Sequence, residues 1–233
     1  MGESQAVQVP KHIGFILDGN RRWAKERGVS TYQGYRAGYR TMDTVMKAAL
    51  DRGVEYVSVY AFSNENWSRP ADEVKQLMGL FLWIFKHELD NYKRYGVRVH
   101  VLGNKLRLGK ALLRAVHNAE AETIANQRGT LLFCLDYGGQ QEVVETMKSL
   151  VEDGIAPADI TAERITEKLA SSGIPPLDLI IRTSGEQRLS NFMLWQAAYS
   201  EFMFTSTNWP DFSVEELDEM LAAYAKRSRR FGA

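Results

Sequence analysis

Ile13-Gly14-Phe15-Ile16-Leu17-Asp18-Gly19-Asn20-Arg21-Arg22 is an apolar run that stops at a carboxylate, a glycine, an amide and two guanidiniums. The run shows no polar alternation, so it reads as a strand covered on both faces. Similar runs occur at 56–62, 97–102, 130–137, 177–182 and 201–206. Helical patterns lie between them, near 36–51, 73–94, 105–127, 140–152, 161–171 and 191–199, and a last one near 214–228. Gly53, Gly96, Gly129 and Gly173 stand where helices should stop, and Ser213-Val214-Glu215-Glu216 has the spacing of a capping box.

This alternation predicts an α/β fold: one domain with a central, mostly parallel six-stranded sheet flanked by helices. No Pro-, Gly- or Ser-rich linker divides the chain, so residues 12–233 are expected to form that domain and 1–11 a flexible N-terminus. Parallel sheets bind ligands beyond the carboxyl ends of their strands. Every polar motif of this chain sits at or just after such an end.

Composition narrows the chemistry. Twenty-nine basic residues balance 29 acidic ones among 233, which gives no support for a nucleic-acid or membrane-surface binder. Phosphate recognition would have to be local. The single cysteine, Cys134, excludes an internal disulfide and reads as a core residue. The four histidines are dispersed and lack metal-ligand spacing. Without a basic and apolar leader or an 18-residue apolar stretch, the expected compartment is the cytoplasm.

At the first strand end, Gly19 lets backbone approach a ligand, Arg22 can grip phosphate oxygens, and Asp18 can hold Mg²⁺. The pentapeptide alone fits a capped surface turn with solvated arginines equally well. The second strand end carries Ser63, Asn66 and Arg69 in one loop, walled by Phe62 and Trp67. The 177–182 run delivers Arg182, then a glycine turn, then Arg188 and Ser190, read as opening a helix; this is a second diphosphate-sized set of donors. Glu201 opens the last run and matters only if the fold brings it near Asp18. The 73–95 helix is apolar over a band wider than one core stripe, which suits a doubly buried helix or the wall of an apolar tunnel between sheet and helices. Two cationic diphosphate sites, a carboxylate for magnesium and an apolar wall suit the joining of two isoprenoid diphosphates.

With these residues in view, the chain resembles the cis-prenyltransferases, bacterial undecaprenyl diphosphate synthases among them. The resemblance runs from about residue 12 to 232 through D-G-N-x-R-W-A, Y-A-F-S-x-E-N-W-x-R-P and I-R-T-x-G-E-x-R-x-S-N-F, then Leu194-Trp195-Gln196, Glu201, Trp209-Pro210 and Arg229-Arg230-Phe231-Gly232. It implies a Mg²⁺-dependent enzyme that condenses isopentenyl diphosphate with an allylic diphosphate. Asp18 would bind Mg²⁺ and help ionise the allylic substrate; Gly19, Asn20 and Arg22 would form its diphosphate loop, with Trp23 beside it. Ser63, Glu65, Asn66, Trp67 and Arg69 would form the mobile catalytic loop. Asn66 is often assigned to deprotonation, but an amide is a poor base and suits a positioning role better. Arg182, Arg188 and Ser190 would hold isopentenyl diphosphate, and Glu201 would be a metal ligand supplied across a homodimer interface. The terminal Arg230-Phe231-Gly232 would reach the partner's site. Membrane association would be peripheral at most, through the lipid product.

Four departures bear on the allylic site and its surroundings. Tyr35 stands where the family usually has histidine and Thr31 where bacterial members often have arginine, so the allylic site should be weakened unless Arg21 or Arg36 compensates. Gln187 replaces a frequent histidine, and Leu135-Asp136-Tyr137-Gly138-Gly139-Gln140 replaces A-x-N-Y-G-G-R. Ala61 is small where short-chain relatives block the tunnel, which points by analogy to a product of about ten or eleven isoprene units. The alternatives are a short-chain or unusual product, and a subunit of a heteromeric synthase.

Overall fold

The computed structural model describes residues 8–227. The six strands expected from the apolar runs form: β1 is His12–Ile16, β2 Tyr56–Ser63, β3 Val97–Leu102, β4 Gly129–Tyr137, β5 Leu179–Arg182 and β6 Glu201–Phe204. They form one sheet in the order β3-β4-β2-β1-β5-β6, and all five neighbouring pairs are parallel rather than mostly so. β1 and β5 are buried along their whole length, as their unbroken apolar runs require. The chain winds from β1 toward β2, β3 and β4, then crosses to β5 and β6 on the other side. The strand order therefore reverses beside β1, and a crevice forms beyond its carboxyl end.

The helices are α1 (Asn20–Glu26), α2 (Thr31–Asp51), α3 (Ala71–His87), α4 (Leu89–Tyr95), α5 (Lys110–Thr123), α6 (Gly139–Glu152), α7 (Ala162–Lys168) and α8 (Val214–Ala225). Ser30 starts α2 with a reciprocal capping box to Gln33, and Ser213 caps α8 by accepting from the Glu216 N–H. One face of the sheet packs under α2, α3, α5 and α8, where Phe15 meets Trp209 at 5.6 Å and Phe212 at 6.3 Å between ring centroids. The other face holds a smaller core around Leu132, Cys134, Ile180 and Phe192, so Cys134 is the buried residue its surroundings predict.

Three sequence expectations change. The 73–94 helix is two helices, broken at Glu88. The 105–127 helix begins only at Lys110, because 103–109 is a loop. The 191–199 helix does not form: Ser190, Asn191 and Met193 adopt positive φ angles of 49°, 67° and 39°, which a right-handed helix cannot contain. Burial of Phe192, Met193 and Ala197 in the smaller core accounts for the apolar pattern there. Arg188 and Ser190 therefore precede a turn, not a helix.

Candidate active site

Asp18 lies just past β1, and its carboxylate is held from two sides. Oδ1 accepts from the Gly19 N–H at 2.9 Å, and Oδ2 accepts from Arg182 Nη2 at 2.9 Å. The Asp18 carbonyl is fixed as well, accepting from the Thr183 hydroxyl at 2.6 Å and from the Trp209 N–H at 3.0 Å. Gly19 has φ of 105°, and a Cβ there would meet Asn208 Oδ1 at 2.6 Å, so only glycine makes this turn. Asn20 donates to the Leu17 carbonyl at 2.9 Å, while its Oδ1 is buried without a partner.

Arg182 ends β5, level with Ile16, and is 4% exposed. One guanidinium nitrogen faces Asp18; the other donates to the Ser190 hydroxyl at 2.9 Å and to the Arg188 carbonyl. Arg22 donates to the Ser184 carbonyl at 2.7 Å, and Glu186 lies between Arg22 and Arg188, at 3.7 Å and 2.5 Å. The loop after β2 is a 3₁₀ turn, Asn64–Ser68, closed by a capping box between Ser63 and Asn66. Asn191 donates to Glu65 at 3.1 Å. Burial raises the Glu65 pKa, but hydrogen bonds from its backbone N–H, Ser63 and Asn191 outweigh it and hold the group below its ordinary value.

Two cavities meet here. One, of about 350 Å³, runs from Asp18, Arg21 and Arg69 to the apolar side chains of Leu77, Phe81 and Ile84 on α3. The other, of about 510 Å³, is bordered by Ser63, Glu65, Arg182 and Ser190. Asp18, Asn66 and Arg69 line both. The fold therefore brings together polar groups from three strand ends that lie up to 172 positions apart in the chain, from Asp18 to Ser190.

Other expected residues stand elsewhere. Trp23 lines neither cavity: its indole donates to Asp211 at 2.8 Å, and Arg27 lies over its ring. Trp67 is also outside the lining, and its indole donates to Asp136 at 2.8 Å. Arg188 is exposed, paired with Glu186. Glu201 is level with Leu179 and Ile13, at the opposite end of the strands from Asp18, and pairs with Arg227. Three residues of strand, roughly 10 Å, separate it from the level of Ile16, so Asp18 and Glu201 of one chain do not share an ion. The terminal Arg229-Arg230-Phe231-Gly232 segment lies outside the described residues.

Arg36 is not in the first cavity's lining; it lies 4.8 Å over the Trp83 ring. Arg21 is, with Glu73 at 3.7 Å. Tyr35 lines the same cavity, donating to Glu73 at 2.6 Å and accepting from Arg69 at 3.1 Å. Burial, then the Glu73 hydrogen bond, push the Tyr35 pKa well up, so its hydroxyl stays neutral. Sequence reading missed Thr183, Ser184, Asn208 and Tyr60, whose contacts need the folded arrangement of distant segments.

Among the described residues, no group of three His, Cys, Asp or Glu side chains is placed to cage a metal. Asp18 offers one half-exposed carboxylate on the wall of both cavities, 38% exposed. That suits Mg²⁺, which takes one or two carboxylates and completes its shell from water and substrate oxygens. No helix of the described residues is long and apolar enough to cross a membrane.

Residues 16–232 match the Prenyltransf family model, that of undecaprenyl diphosphate synthase. An isoprenyl transferase of Clostridium perfringens is 45% identical over 229 residues, 97% of this chain and 90% of that protein. Another, of Brucella abortus, is 44% identical over 227 residues, 96% of this chain and 89% of that one. Among solved structures, lavandulyl diphosphate synthase from Lavandula x intermedia, in complex with dimethylallyl diphosphate, is similar with a TM-score of 0.91 at 33% identity, covering 97% of this chain and 99% of that one. The sheet order, the three polar strand ends and these likenesses agree: the chain belongs to the undecaprenyl diphosphate synthase family of prenyltransferases.

Proposed function

We propose that the chain condenses isopentenyl diphosphate with an allylic diphosphate, farnesyl diphosphate being the starter, to a medium-chain Z-polyprenyl diphosphate of the undecaprenyl class. The observation that carries this is the meeting of two cavities at Asp18, Asn66 and Arg69, only one of them backed by an apolar α3 wall. The allylic diphosphate lies at Gly19, Asn20, Arg21 and Arg22, with its hydrocarbon along Leu77, Phe81 and Ile84 in what becomes the tunnel. Isopentenyl diphosphate lies at Ser63, Arg182 and Ser190, with Arg188 at the rim.

The allylic C–O bond breaks and the diphosphate leaves with the electron pair. The terminal double-bond carbon of isopentenyl diphosphate bonds to the allylic carbon, and a proton is lost from the carbon next to the new cation. Asp18 would hold Mg²⁺, which when bound would supply charge neutralisation on the diphosphate. Arg22 and Arg69 hold the leaving group and Arg182 holds the second substrate, aimed where charge develops. Asn66 is acceptor and donor at the junction and orients the reacting alkene, while phosphate oxygen or water takes the proton.

The domain of residues 12–233 works as a cytoplasmic homodimer, touching membrane only through its product. The exposed Val144 and Val151 on α6 and Phe204 on the edge strand β6 give apolar surface for a second copy. Glu201 reaches a metal only as a partner's residue. A heteromeric subunit role is disfavoured by the presence of Asp18, Arg182 and Ser190 in one connected site.

A second reading, a short or branched product, is favoured by the likeness to lavandulyl diphosphate synthase and by Tyr35 in the allylic cavity. Mass spectrometry separates the two. The purified chain, given farnesyl diphosphate, isopentenyl diphosphate and Mg²⁺, should yield products longer by successive five-carbon units. A single coupling product with no extended series would favour the second reading.

A further inference from the structure

We infer that Asp136 is a positioning residue for the loop bearing Asn66 and Arg69, acting on it through Trp67; the inference rests on the prenyltransfer reading of that loop. Asp136 lines neither cavity. It is the penultimate residue of β4, with φ of 51°, and it is 1% exposed. Aspartate is among the few residues besides glycine that tolerate this left-handed conformation.

Its carboxylate takes three donors. Oδ1 accepts from the Trp67 indole at 2.8 Å and from Arg107 Nη2 at 2.6 Å, and Oδ2 accepts from Arg107 Nε at 3.0 Å. The Arg107 guanidinium also lies 5.0 Å over the Trp67 ring. From another side, Phe62 presents a T-shaped contact at 5.1 Å. The indole is thus fixed by its N–H, by the Arg107 guanidinium over its ring and by the Phe62 ring. Trp67 directly follows Asn66 and stands two residues before Arg69, so fixing the ring fixes the turn that carries both.

A buried carboxylate is costly unless its lone pairs are used, and here they are. Arg107 is brought into place independently of that ion pair. The 103–109 loop docks its backbone on Asp136, with the Asn104 N–H donating to the Asp136 carbonyl at 2.9 Å. Gly103, at φ of 126°, makes this approach; a Cβ there would collide with the Leu135 and Asp136 carbonyls. The bidentate fork is therefore pre-positioned, which suits rigid placement of a side chain two layers from the chemistry. Asp136→Asn keeps an acceptor for the indole but sets an amide N–H₂ against the Arg107 fork. Asp136→Ala removes the acceptor from the Trp67 indole and from both Arg107 donors.

The test compares wild type, Asp136→Asn, Asp136→Ala, Arg107→Met and the Asp136→Ala/Arg107→Met double variant. Steady-state kinetics use farnesyl and isopentenyl diphosphates with Mg²⁺, per folded enzyme. Hydrogen exchange is read over 62–70. Misplacement of about 1 Å at a remote contact can slow turnover by roughly 100-fold. Asp136→Ala should therefore lose kcat by roughly 10- to 100-fold with KM moving much less. Exchange over 64–69 should speed up while the sheet stays protected. Asp136→Asn should be intermediate on both measures, and Arg107→Met should add little to Asp136→Ala. A folded Asp136→Ala enzyme within about twofold of wild-type kcat, or with unchanged exchange over 64–69, would overturn the inference. If Asp136→Ala does not fold, Asp136→Asn decides by the same criteria. An inactive wild-type chain would instead overturn the prenyltransfer reading, and the exchange comparison would still decide the role of Asp136 in holding the loop.

Discussion

Arg182 donates one guanidinium N–H to Asp18 at 2.9 Å and another to Ser190 at 2.9 Å, so a single buried side chain ties the two cavities together. It meets the carboxylate on one side and a second-site hydroxyl on the other. Its Nε is buried without a partner.

That geometry makes the fork, not the charge alone, the expected requirement. Arg182→Lys keeps a cation but cannot serve Asp18, Ser190 and the Arg188 carbonyl together. Its KM for isopentenyl diphosphate should rise roughly 10-fold or more, with kcat falling as Asp18 loses its orientation. Initial-rate kinetics with the isopentenyl substrate varied check this; wild-type values for both constants would contradict it.

Of the two arginines expected to compensate, Arg21 lines the cavity that carries Tyr35, whereas Arg36 is engaged with Trp83. Arg21→Gly should therefore raise the KM for the allylic diphosphate several-fold, while Arg36→Gln should change it little. If the Arg21→Gly KM does not rise, Arg21 does not compensate for the missing cations.

His12 gives a pH prediction. Its Nδ1 lies 2.7 Å from the Pro175 carbonyl and its Nε2 2.7 Å from the Ser58 hydroxyl. Burial dominates and lowers its pKa from 6.5 to about 4, although the Pro175 hydrogen bond and Asp178 oppose the shift. The folded state thus resists a proton that the unfolded state accepts. The stability is present above about pH 6.5 and is lost as pH falls toward and through 4, in all about 3 kcal/mol. Unfolding free energies from urea titrations between pH 7 and 4 should drop by that order, and His12→Gln should flatten this part of the dependence.

Gly19→Ala would place a Cβ 2.6 Å from Asn208 Oδ1 at a φ of 105°. Strain of this kind costs about 1–3 kcal/mol, read as a lowered Tm, and it should come with weaker allylic binding because the same turn presents Asp18. An unchanged Tm with unchanged allylic KM would remove Gly19 from the account.

Much of this was legible in the sequence, for physical reasons. Strands buried on both faces leave unbroken apolar runs, so β1 and β5 and the polar residues at their ends could be placed within a few positions. The 191–199 segment was misread because buried Phe192, Met193 and Ala197 give an apolar pattern that turns at positive φ can also satisfy. The distance of Glu201 from Asp18 depends on strand register, which no local pattern encodes. Asp136, Arg107 and Trp67 meet only through packing of three distant segments, so the departure at Asp136 had no visible partner in sequence.

The Glu201 geometry sets a complementation test. If Glu201 serves the partner's metal, Asp18→Ala and Glu201→Ala chains are each weak alone. Mixed dimers carry one intact site, so unfolding and refolding an equal mixture should restore about a quarter of wild-type activity. No restoration would assign Glu201 to its Arg227 pair only.

The central claim is that Asp18, at the junction of the two cavities, drives loss of the allylic diphosphate. The most direct test is the single-turnover rate of the purified chain with farnesyl diphosphate, isopentenyl diphosphate and Mg²⁺, set against Asp18→Ala with its fold verified. The account predicts a fall of about 100- to 1,000-fold in the condensation rate, the scale of losing a principal electrostatic group. An Asp18→Ala rate equal to that of the wild type would contradict it.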